Sequence, residues 1–521
     1  MVNYESLYPG AIYTTHTPSY YAPPSSYRTN IENLGISMDP RTANQLGALN
    51  RALNPGVKTI EIQGITPQVL ESIPEQHLDE MNRLAKLTGV QTTLHGPLLE
   101  ASGIDPNQGF TEENRVGVEK QMESAVLRSH RLDPKGNINV TFHSTAQLPE
   151  FRPHYKDEKG NTIEQGLFIV NEDTGQITQI RPEKRYFPEE TDKFTGKEVE
   201  FKASNELERR NIEVWTDSIS GINRMVDYGD SHFDGAKINI MRAGPGEIKS
   251  QKELEERKEI AEKVFKDVTL SMAGKLDLEK IKKQNPQYGE LIKETQKNIE
   301  SSQIYYRDAY KGMKSFFDKA WHNITNEEDR AKLKKFAIEV APKVYKNFES
   351  NVENIDTLKN VVQEGLDILS NLKQTPEIFK PLDEFVINKS AHTFANVAES
   401  AYKKFGNTAP VISIENPPAN QGLSTGKDLR LLVEASREQL AKNLSAKGMS
   451  KGQAEKVAER MIGATWDVGH INMLRKRGYS EKDIIQQTKE IAPFVKHVHL
   501  SDNFGLDHTE LPMGMGNVPL K

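Results

Sequence analysis

Short runs rich in β-branched residues alternate with longer amphipathic stretches near both ends of the chain. The strand-like runs lie at 34–38, 57–64, 91–96, 137–144, 410–417, 463–470 and 495–502. Helical patterns such as 67–88 and 427–446 separate them. A strand followed by a helix, repeated, is typical of parallel β/α architecture. We therefore predict seven parallel strands with helices between them.

This rhythm predicts a (β/α)8-type TIM barrel that carries one large insertion and lacks its last βα unit. The first half occupies 34–146 and the second half 407–521, where the chain ends before an eighth strand. Either the sequence is a fragment, or another element such as the irregular N-terminal arm at 1–33 closes the sheet. Between the halves, residues 147–406 begin with turn signals and continue with long charged helices. This segment is predicted to be an inserted β-meander followed by a mainly helical domain.

Composition narrows the classes of function. The chain of 521 residues has 68 basic and 74 acidic residues, and its formal charge of −6 gives no global positive field for non-specific nucleic-acid binding. The absence of cysteine excludes disulfides, thiolate metal sites and a cysteine nucleophile. The sequence has no signal-peptide pattern and no apolar run of roughly 18 residues, so we expect a cytoplasmic protein that does not enter the membrane.

Polar residues recur on one face of the predicted strands, at their carboxyl ends. Residues two apart on a strand share a face, so Leu94 is expected to point outward when His95 points inward. The predicted inward pairs are Thr93 and His95, Thr141 and His143, Ser413 and Glu415, Thr465 and Asp467, and His497 and His499. A barrel interior built only for stability favours Val, Ile and Leu at such positions. The pattern therefore predicts an active site at this end of the sheet.

Metal-ligand residue types dominate the predicted site. Six of them are expected to converge there, namely His95, His143, Glu415, Asp467, His470 and His499. A single histidine at a strand end is more often a hydrogen-bonded structural residue, but that explanation fits six converging residues poorly. Imidazole and carboxylate without thiolate suit Zn²⁺ or Mn²⁺ first, and Fe²⁺, Co²⁺ or Mg²⁺ as alternatives. Spacing does not choose among these ions.

The loop after the seventh strand adds four ionisable side chains, Asp502, Asp507, His508 and Glu510. We predict that Asp507 and His508 are metal ligands and that Asp502 and Glu510 contact substrate. The glycines that follow would let backbone approach a substrate closely. The alternative for each of the four residues is a structural role in capping the loop.

These motifs, in this order, resemble the xylose isomerase-like TIM-barrel superfamily, which includes sugar isomerases and epimerases and the endonuclease IV-like apurinic-site nucleases. The matching segments are TLHGP (93–97), VTFHS (140–144), SIENPP (413–418), TWDVGH (465–470), HVHLSDN (497–503) and DHTELPMGMG (507–516). The resemblance implies that Glu415, Asp467 and His499 form the shared metal core, which the family completes with a Glu from an eighth strand that this chain lacks. It also implies the further ligands of the multi-metal nucleases, His95, His143, His470 and either Asp507 or His508.

The chain departs from the family pattern at several positions. Val468 and Gly469 stand where the nucleases usually have a cysteine, and the nuclease Asp-x-His becomes the adjacent pair Asp507 and His508. Many isomerase-like members have a histidine where this chain has Glu510. The insertion has no counterpart in the resemblance.

Three functions remain open at this point. The first, which the sequence favours, is a sugar or sugar-phosphate isomerase or epimerase, in which Glu61 and His497 would bind substrate. The second is an apurinic-site phosphodiesterase in DNA repair, and the acidic balance counts against it. In either enzyme the predicted catalytic residues are Glu415, His143 and Asp467. The third is a degenerate barrel kept as a non-catalytic scaffold for the helical insertion. The alternative to a substrate contact for Glu61 is a salt-bridged interior carboxylate.

Overall fold

The structure is a computed structural model. It describes residues 34–185, 199–242, 248, 250–284, 286, 289–345 and 355–519. The chain divides into two compact units, one formed by Met1–Leu207 with Phe379–Lys521 and the other by Glu208–Ile378. The arm predicted at 1–33 lies outside the described residues.

A parallel sheet of seven strands forms the centre of the first unit. Its strands are β1 (Gly35–Ser37), β2 (Thr59–Gln63), β3 (Gln91–His95), β4 (Asn139–His143), β5 (Val411–Glu415), β6 (Ile462–Asp467) and β7 (Val495–His499). Each strand pairs in parallel with the next one in this order. All seven predicted strands are therefore present, and the general α/β class agrees with the prediction.

The predicted (β/α)8-type TIM barrel is wrong. The sheet is a curled half-barrel, and its outer strands β1 and β7 do not pair with each other in the described part of the chain. Strand twist curls the sheet enough for side chains of β2 and β7 to touch, as between Glu61 and His499. A closed barrel needs a continuous hydrogen-bonded ladder, whereas among the described residues β7 pairs with β6 alone.

Four helices follow the first three strands. They are α1 (Gln45–Ala52), α2 (Pro67–Ser72), α3 (Glu75–Thr88) and α4 (Glu112–Ser129). Helix α3 buries Leu78, Met81 and Ala85, which recur at intervals of three and four residues, and ends at Gly89 in the left-handed region. The side chain of Thr111 caps α4 by accepting the N–H of Asn114. Apolar residues on the outward face of the strands pack beneath these helices.

Short antiparallel pairs occupy the loops of the first unit. They are Ile104–Asp105 with Gly109–Phe110, His154–Lys156 with Thr162–Glu164, Leu167–Asn171 with both Ile177–Ile180 and Phe379–Pro381, and Glu183–Arg185 with Val199–Phe201. A small separate core around Ile169 and Ile180 supports the three-stranded group.

The second unit is helical. Its helices are α5 (Ala203–Arg242, which begins five residues before the unit), α6 (Gln251–Met272), α7 (Leu278–Gln284), α8 (Gly289–Asn323), α9 (Glu327–Lys335), α10 (Pro342–Tyr345) and α11 (Ile355–Ser370), with a π-helical turn at Phe336–Val340. Helices α5 and α8 approach closely at Gly229, where an added Cβ would lie 2.9 Å from the Tyr306 ring. Phe317 and Phe336 stack with ring centroids 4.5 Å apart.

The remaining helices belong to the first unit. They are α12 (Leu382–Phe405), α13 (Gly426–Ala446), α14 (Lys451–Met461), α15 (Val468–Asn472) and α16 (Glu481–Ile491). Helix α16 starts with a reciprocal capping box between Ser480 and Asp483. Within the described ranges, no helix is both long and apolar enough to cross a membrane.

Candidate metal centre

Strand register brings ligand-type side chains together at the carboxyl ends of β3 to β7. Glu415 lies opposite His143 across the β4–β5 ladder, and Asp467 lies opposite His499 across the β6–β7 ladder. His95, the last residue of β3, pairs with Thr141 one layer lower, yet its ring centroid is 5.4 Å from that of His143. The predicted face of each strand therefore carries the predicted polar residue.

The Glu415 carboxylate lies at the centre of the cluster. Its Oε2 is 3.2 Å from Nε2 of both His95 and His143. Its Oε1 is 2.6 Å from Nδ1 of His499. The side chain is only 1% exposed, and a carboxylate so buried is stable only with close charged or hydrogen-bonding partners. The three imidazoles supply those partners.

Burial and charge shift the pKa values of this cluster in opposite directions. Burial works to raise the pKa of Glu415, but the charges of His499 and His143 outweigh it and hold that pKa well below its ordinary value. Burial likewise opposes protonation of His499 and His95, yet the pKa of each is raised by Glu415. The pKa of His143 is lowered because burial dominates there.

Backbone carbonyls fix the ring orientation of two histidines. His95 Nδ1 lies 2.9 Å from the Gly96 carbonyl and His470 Nδ1 lies 2.7 Å from the Asn416 carbonyl. A carbonyl only accepts, so each Nδ1 donates and each Nε2 is left to face the site. The same orientation, with Nδ1–H on an acceptor, is common in histidines that bind metal through Nε2.

Asp467 is oriented by the turn that follows β6. It is the N-cap of α15, and its Oδ1 accepts the N–H of His470 at 2.8 Å and the Ser501 hydroxyl at 3.3 Å. Oδ2 is 3.9 Å from His470 Nε2. The cap therefore places an aspartate and a histidine side by side at the end of one strand.

Among the described residues, three groups have the residue types and spacing to hold a metal ion, and Glu415 belongs to two of them. The groups are His95 with His143 and Glu415, Glu415 with Asp467 and His470, and Glu61 with His497 and His499. The ligand atoms within each group lie within 4.8 Å of one another. Metal–ligand bonds of about 2.0–2.2 Å span ligands up to roughly 4 Å apart, so small side-chain rotations suffice. The imidazole and carboxylate donors suit Zn²⁺, Mn²⁺, Fe²⁺ or Co²⁺.

Two of the predicted substrate contacts, Glu61 and His497, face each other inside the curled sheet. Glu61 Oε2 is 3.3 Å from His497 Nε2 and 3.0 Å from His499 Nε2. Burial would raise the pKa of Glu61, but its hydrogen bonds to the two imidazoles lower it far below the ordinary value. Glu61 thus belongs to the third metal group.

The loop after β7 brings His508 into the site and leaves the other predicted residues apart. His508 Nε2 is 2.9 Å from His470 Nε2, and burial lowers the pKa of His508. Glu510 is exposed, with Oε1 3.6 Å from His508 Nε2. Asp507 is exposed and accepts the N–H of its neighbour His508. Asp502 is buried instead, and its carboxylate accepts backbone N–H groups of the loop.

Sequence reasoning missed the residues that hold the ligands in place. Asn416 contacts the backbone of Asp467 on both sides, and Gln63 donates to Glu61 at 3.0 Å. Asn416 lies inside the SIENPP segment, directly after Glu415. Its polar side chain next to a predicted ligand was the available signal.

Comparison of the chain with protein-family models, curated proteins and solved structures finds no match. The resemblance to xylose isomerase-like proteins therefore stays a prediction that rests on the motifs alone.

Proposed function

We propose that the chain is a divalent-metal-dependent hydrolase of phosphodiesters. The observation that carries this proposal is that one carboxylate, Glu415, is shared by two neighbouring metal groups. A carboxylate between two ions is a common way to hold a pair of ions about 4 Å apart, the arrangement used by many phosphodiesterases and nucleases. Abasic-site DNA is the substrate class that the motif resemblance adds.

The ligand residues would divide into two neighbouring sets. His95 and His143 would bind one ion together with Glu415, while Asp467 and His470 would bind the other, with His508 next to His470. Ions at these positions would activate water and neutralise charge on the leaving oxygen. His508 is the most exposed histidine of this set and lies beside Glu510, so it is placed to deliver a proton to a departing oxygen.

The test is cleavage of two phosphodiester substrates by metal-free protein reconstituted with Zn²⁺ or Mn²⁺. We would use bis(p-nitrophenyl) phosphate and a duplex with one abasic site. Metal-dependent cleavage that falls at least about 100-fold in Glu415→Gln is expected, because the shared ligand is lost. The matched control is Glu434→Gln, which removes a half-exposed carboxylate on α13. Reconstituted protein that cleaves neither substrate would contradict the proposal.

A sugar isomerase or epimerase is the second candidate, and the burial of the site favours it. Glu415, His95, Asp467 and His470 are each less than about one tenth exposed, which suits a small substrate better than a duplex. In that case one ion would polarise substrate oxygens and a carboxylate would move the proton between adjacent carbons. Interconversion of aldose and ketose phosphates without phosphodiester cleavage would favour this candidate over the hydrolase.

A further inference from the structure

A separate ligand group lies where β2 faces β7. It consists of Glu61, His497 and His499. Glu61 projects from β2, and both histidines project from β7 on the same face because they are two residues apart. Glu61 Oε2 lies 3.0 Å from His499 Nε2 and 3.3 Å from His497 Nε2. One carboxylate oxygen and two imidazole nitrogens thus converge from opposite sides of the curled sheet.

Neighbouring side chains orient Glu61 for this role. Its other oxygen, Oε1, accepts from Gln63 Nε2 at 3.0 Å and from the Ser37 hydroxyl at 3.4 Å. Thr93 donates to Oε2 at 3.4 Å. One oxygen is therefore occupied by two fixed donors, and Oε2 points at the two imidazoles. Such outer hydrogen bonds are what hold metal-binding carboxylates in place.

Glu415 orients His499 in a corresponding way. His499 Nδ1 is 2.6 Å from Glu415 Oε1, so Nδ1–H donates to that carboxylate. Nε2 faces Glu61 Oε2 at 3.0 Å, and an ion bound there would replace the Nε2 proton. A histidine that binds metal through one ring nitrogen commonly donates the N–H of its other ring nitrogen to a carboxylate. His497 is about one fifth exposed, which leaves a path for an ion from solvent.

We propose that Glu61, His497 and His499 bind a divalent transition-metal ion that ties β2 to β7 across the open side of the sheet. Two imidazoles and one carboxylate suit Zn²⁺ or Fe²⁺. The ion joins the two sides of the gap that a closed barrel would bridge with a backbone ladder between its first and last strands. The site is structural, and it does not depend on the hydrolase proposed above.

The sequence positions explain why such an ion stabilises the fold. Glu61 and His499 are 438 residues apart, so an unfolded chain does not bring them together. An ion that binds only the folded chain raises the free energy of unfolding by its own binding. It also fastens β7, whose residue Val498 is exposed at the edge of the sheet, as is Leu500 directly after the strand.

The test compares metal stoichiometry and thermal unfolding of metal-free full-length protein titrated with Zn²⁺. The variants are His497→Ala and Glu61→Gln, and the control is His154→Ala, whose side chain is 23% exposed against 21% for His497. We expect each site variant to bind one Zn²⁺ fewer than wild type and to lose part of the metal-induced rise in Tm. His154→Ala should behave as wild type.

Co²⁺ titration followed by visible absorption keeps the proposal testable if a variant unfolds. Wild type should show one class of bound Co²⁺ that His497→Gln lacks and Glu415→Gln retains, because glutamine at 415 can still accept the Nδ1–H of His499. Equal Co²⁺ and Zn²⁺ stoichiometry in wild type and His497→Gln would overturn the proposal. A loss of phosphodiester cleavage in Glu415→Gln with this ion retained would separate the two sites.

Discussion

Asn416 clamps the backbone of Asp467 from both sides. Asn416 Oδ1 accepts the N–H of Asp467 at 2.8 Å, and Asn416 Nδ2 donates to the carbonyl of Asp467 at 3.0 Å. Both residues are buried, and the pair joins the carboxyl ends of β5 and β6. The carbonyl of Asn416 also accepts from His470 Nδ1. One amide residue therefore positions two candidate ligands, Asp467 and His470, at the end of β6.

Asn416→Ala should weaken both the fold and the metal site. It leaves a buried N–H and a buried carbonyl without partners, which costs about 1–3 kcal/mol in the free energy of unfolding. Metal affinity should fall roughly 10–100-fold, as is usual when residues behind the ligands are removed. Urea unfolding and Zn²⁺ titration measure the two effects. Asn443→Ala, which removes a half-buried amide bonded to Asn396, should leave Zn²⁺ affinity unchanged.

Removal of bound metal should lower stability without unfolding the protein. An ion present at about 100 times its Kd contributes roughly 2.7 kcal/mol to the free energy of unfolding, and a chelator abolishes that contribution. The fold should persist because the Glu415 carboxylate keeps His95, His143 and His499 as partners. Calorimetry with and without chelator measures the change in Tm. An identical Tm with and without chelator would contradict a stabilising ion at the three groups.

The local pattern predicted the strands and the polar face, but not how their ends meet. Alternation with period two placed His143 and Glu415 correctly, because it depends only on neighbouring residues. Closure of the sheet was predicted wrongly. Pairing between β1 and β7 would join strands from opposite ends of the described chain, and a local pattern carries no information about such distant contacts.

A register irregularity between β6 and β7 also escaped the sequence pattern. Ala464 pairs with Val495, but Thr465 pairs with His497, so one residue of β7 is skipped between them. Without this shift Asp467 would lie opposite Val498 instead of His499. Bulges of this kind re-aim side chains near functional sites, and alternation alone cannot reveal them. The sequence also did not predict which ring nitrogen of each histidine faces the site, because that depends on partners such as the Gly96 carbonyl.

The ion pair between Asp483 and Lys156 should make stability sensitive to acid. Lys156 Nζ lies 2.7 Å from Asp483 Oδ1, and with the Ser480 hydrogen bonds it lowers the pKa of Asp483 to about 2. A carboxyl group with a depressed folded pKa stabilises the fold above its ordinary pKa, and this contribution is lost as pH falls toward 2.

The wild type should therefore be more stable than Asp483→Asn at pH 5, and the difference should shrink steadily between about pH 4 and pH 2. Urea unfolding at several pH values measures it. Lys156→Met should show the same trend, and Glu455→Gln, which changes an exposed carboxylate on α14, is the control. A difference between wild type and Asp483→Asn that does not change with pH would contradict the assignment of this ion pair.

The absence of a side chain at Gly96 allows β3 and β4 to pack at the edge of the site. A Cβ built on Gly96 would lie 2.4 Å from Cε1 of Phe142, a ring that is almost completely buried. Gly96→Ala should therefore cost about 1–3 kcal/mol of unfolding free energy through overpacking. It should also weaken Zn²⁺ binding, because the Gly96 carbonyl orients His95. Adding Phe142→Leu should recover part of both losses.

The control is Gly117→Ala, on α4, where an added Cβ meets nothing within 4 Å. It should be neutral or stabilise the fold by up to about 1 kcal/mol. Equal effects of the two glycine substitutions in urea unfolding would contradict a close approach of the Phe142 ring to position 96.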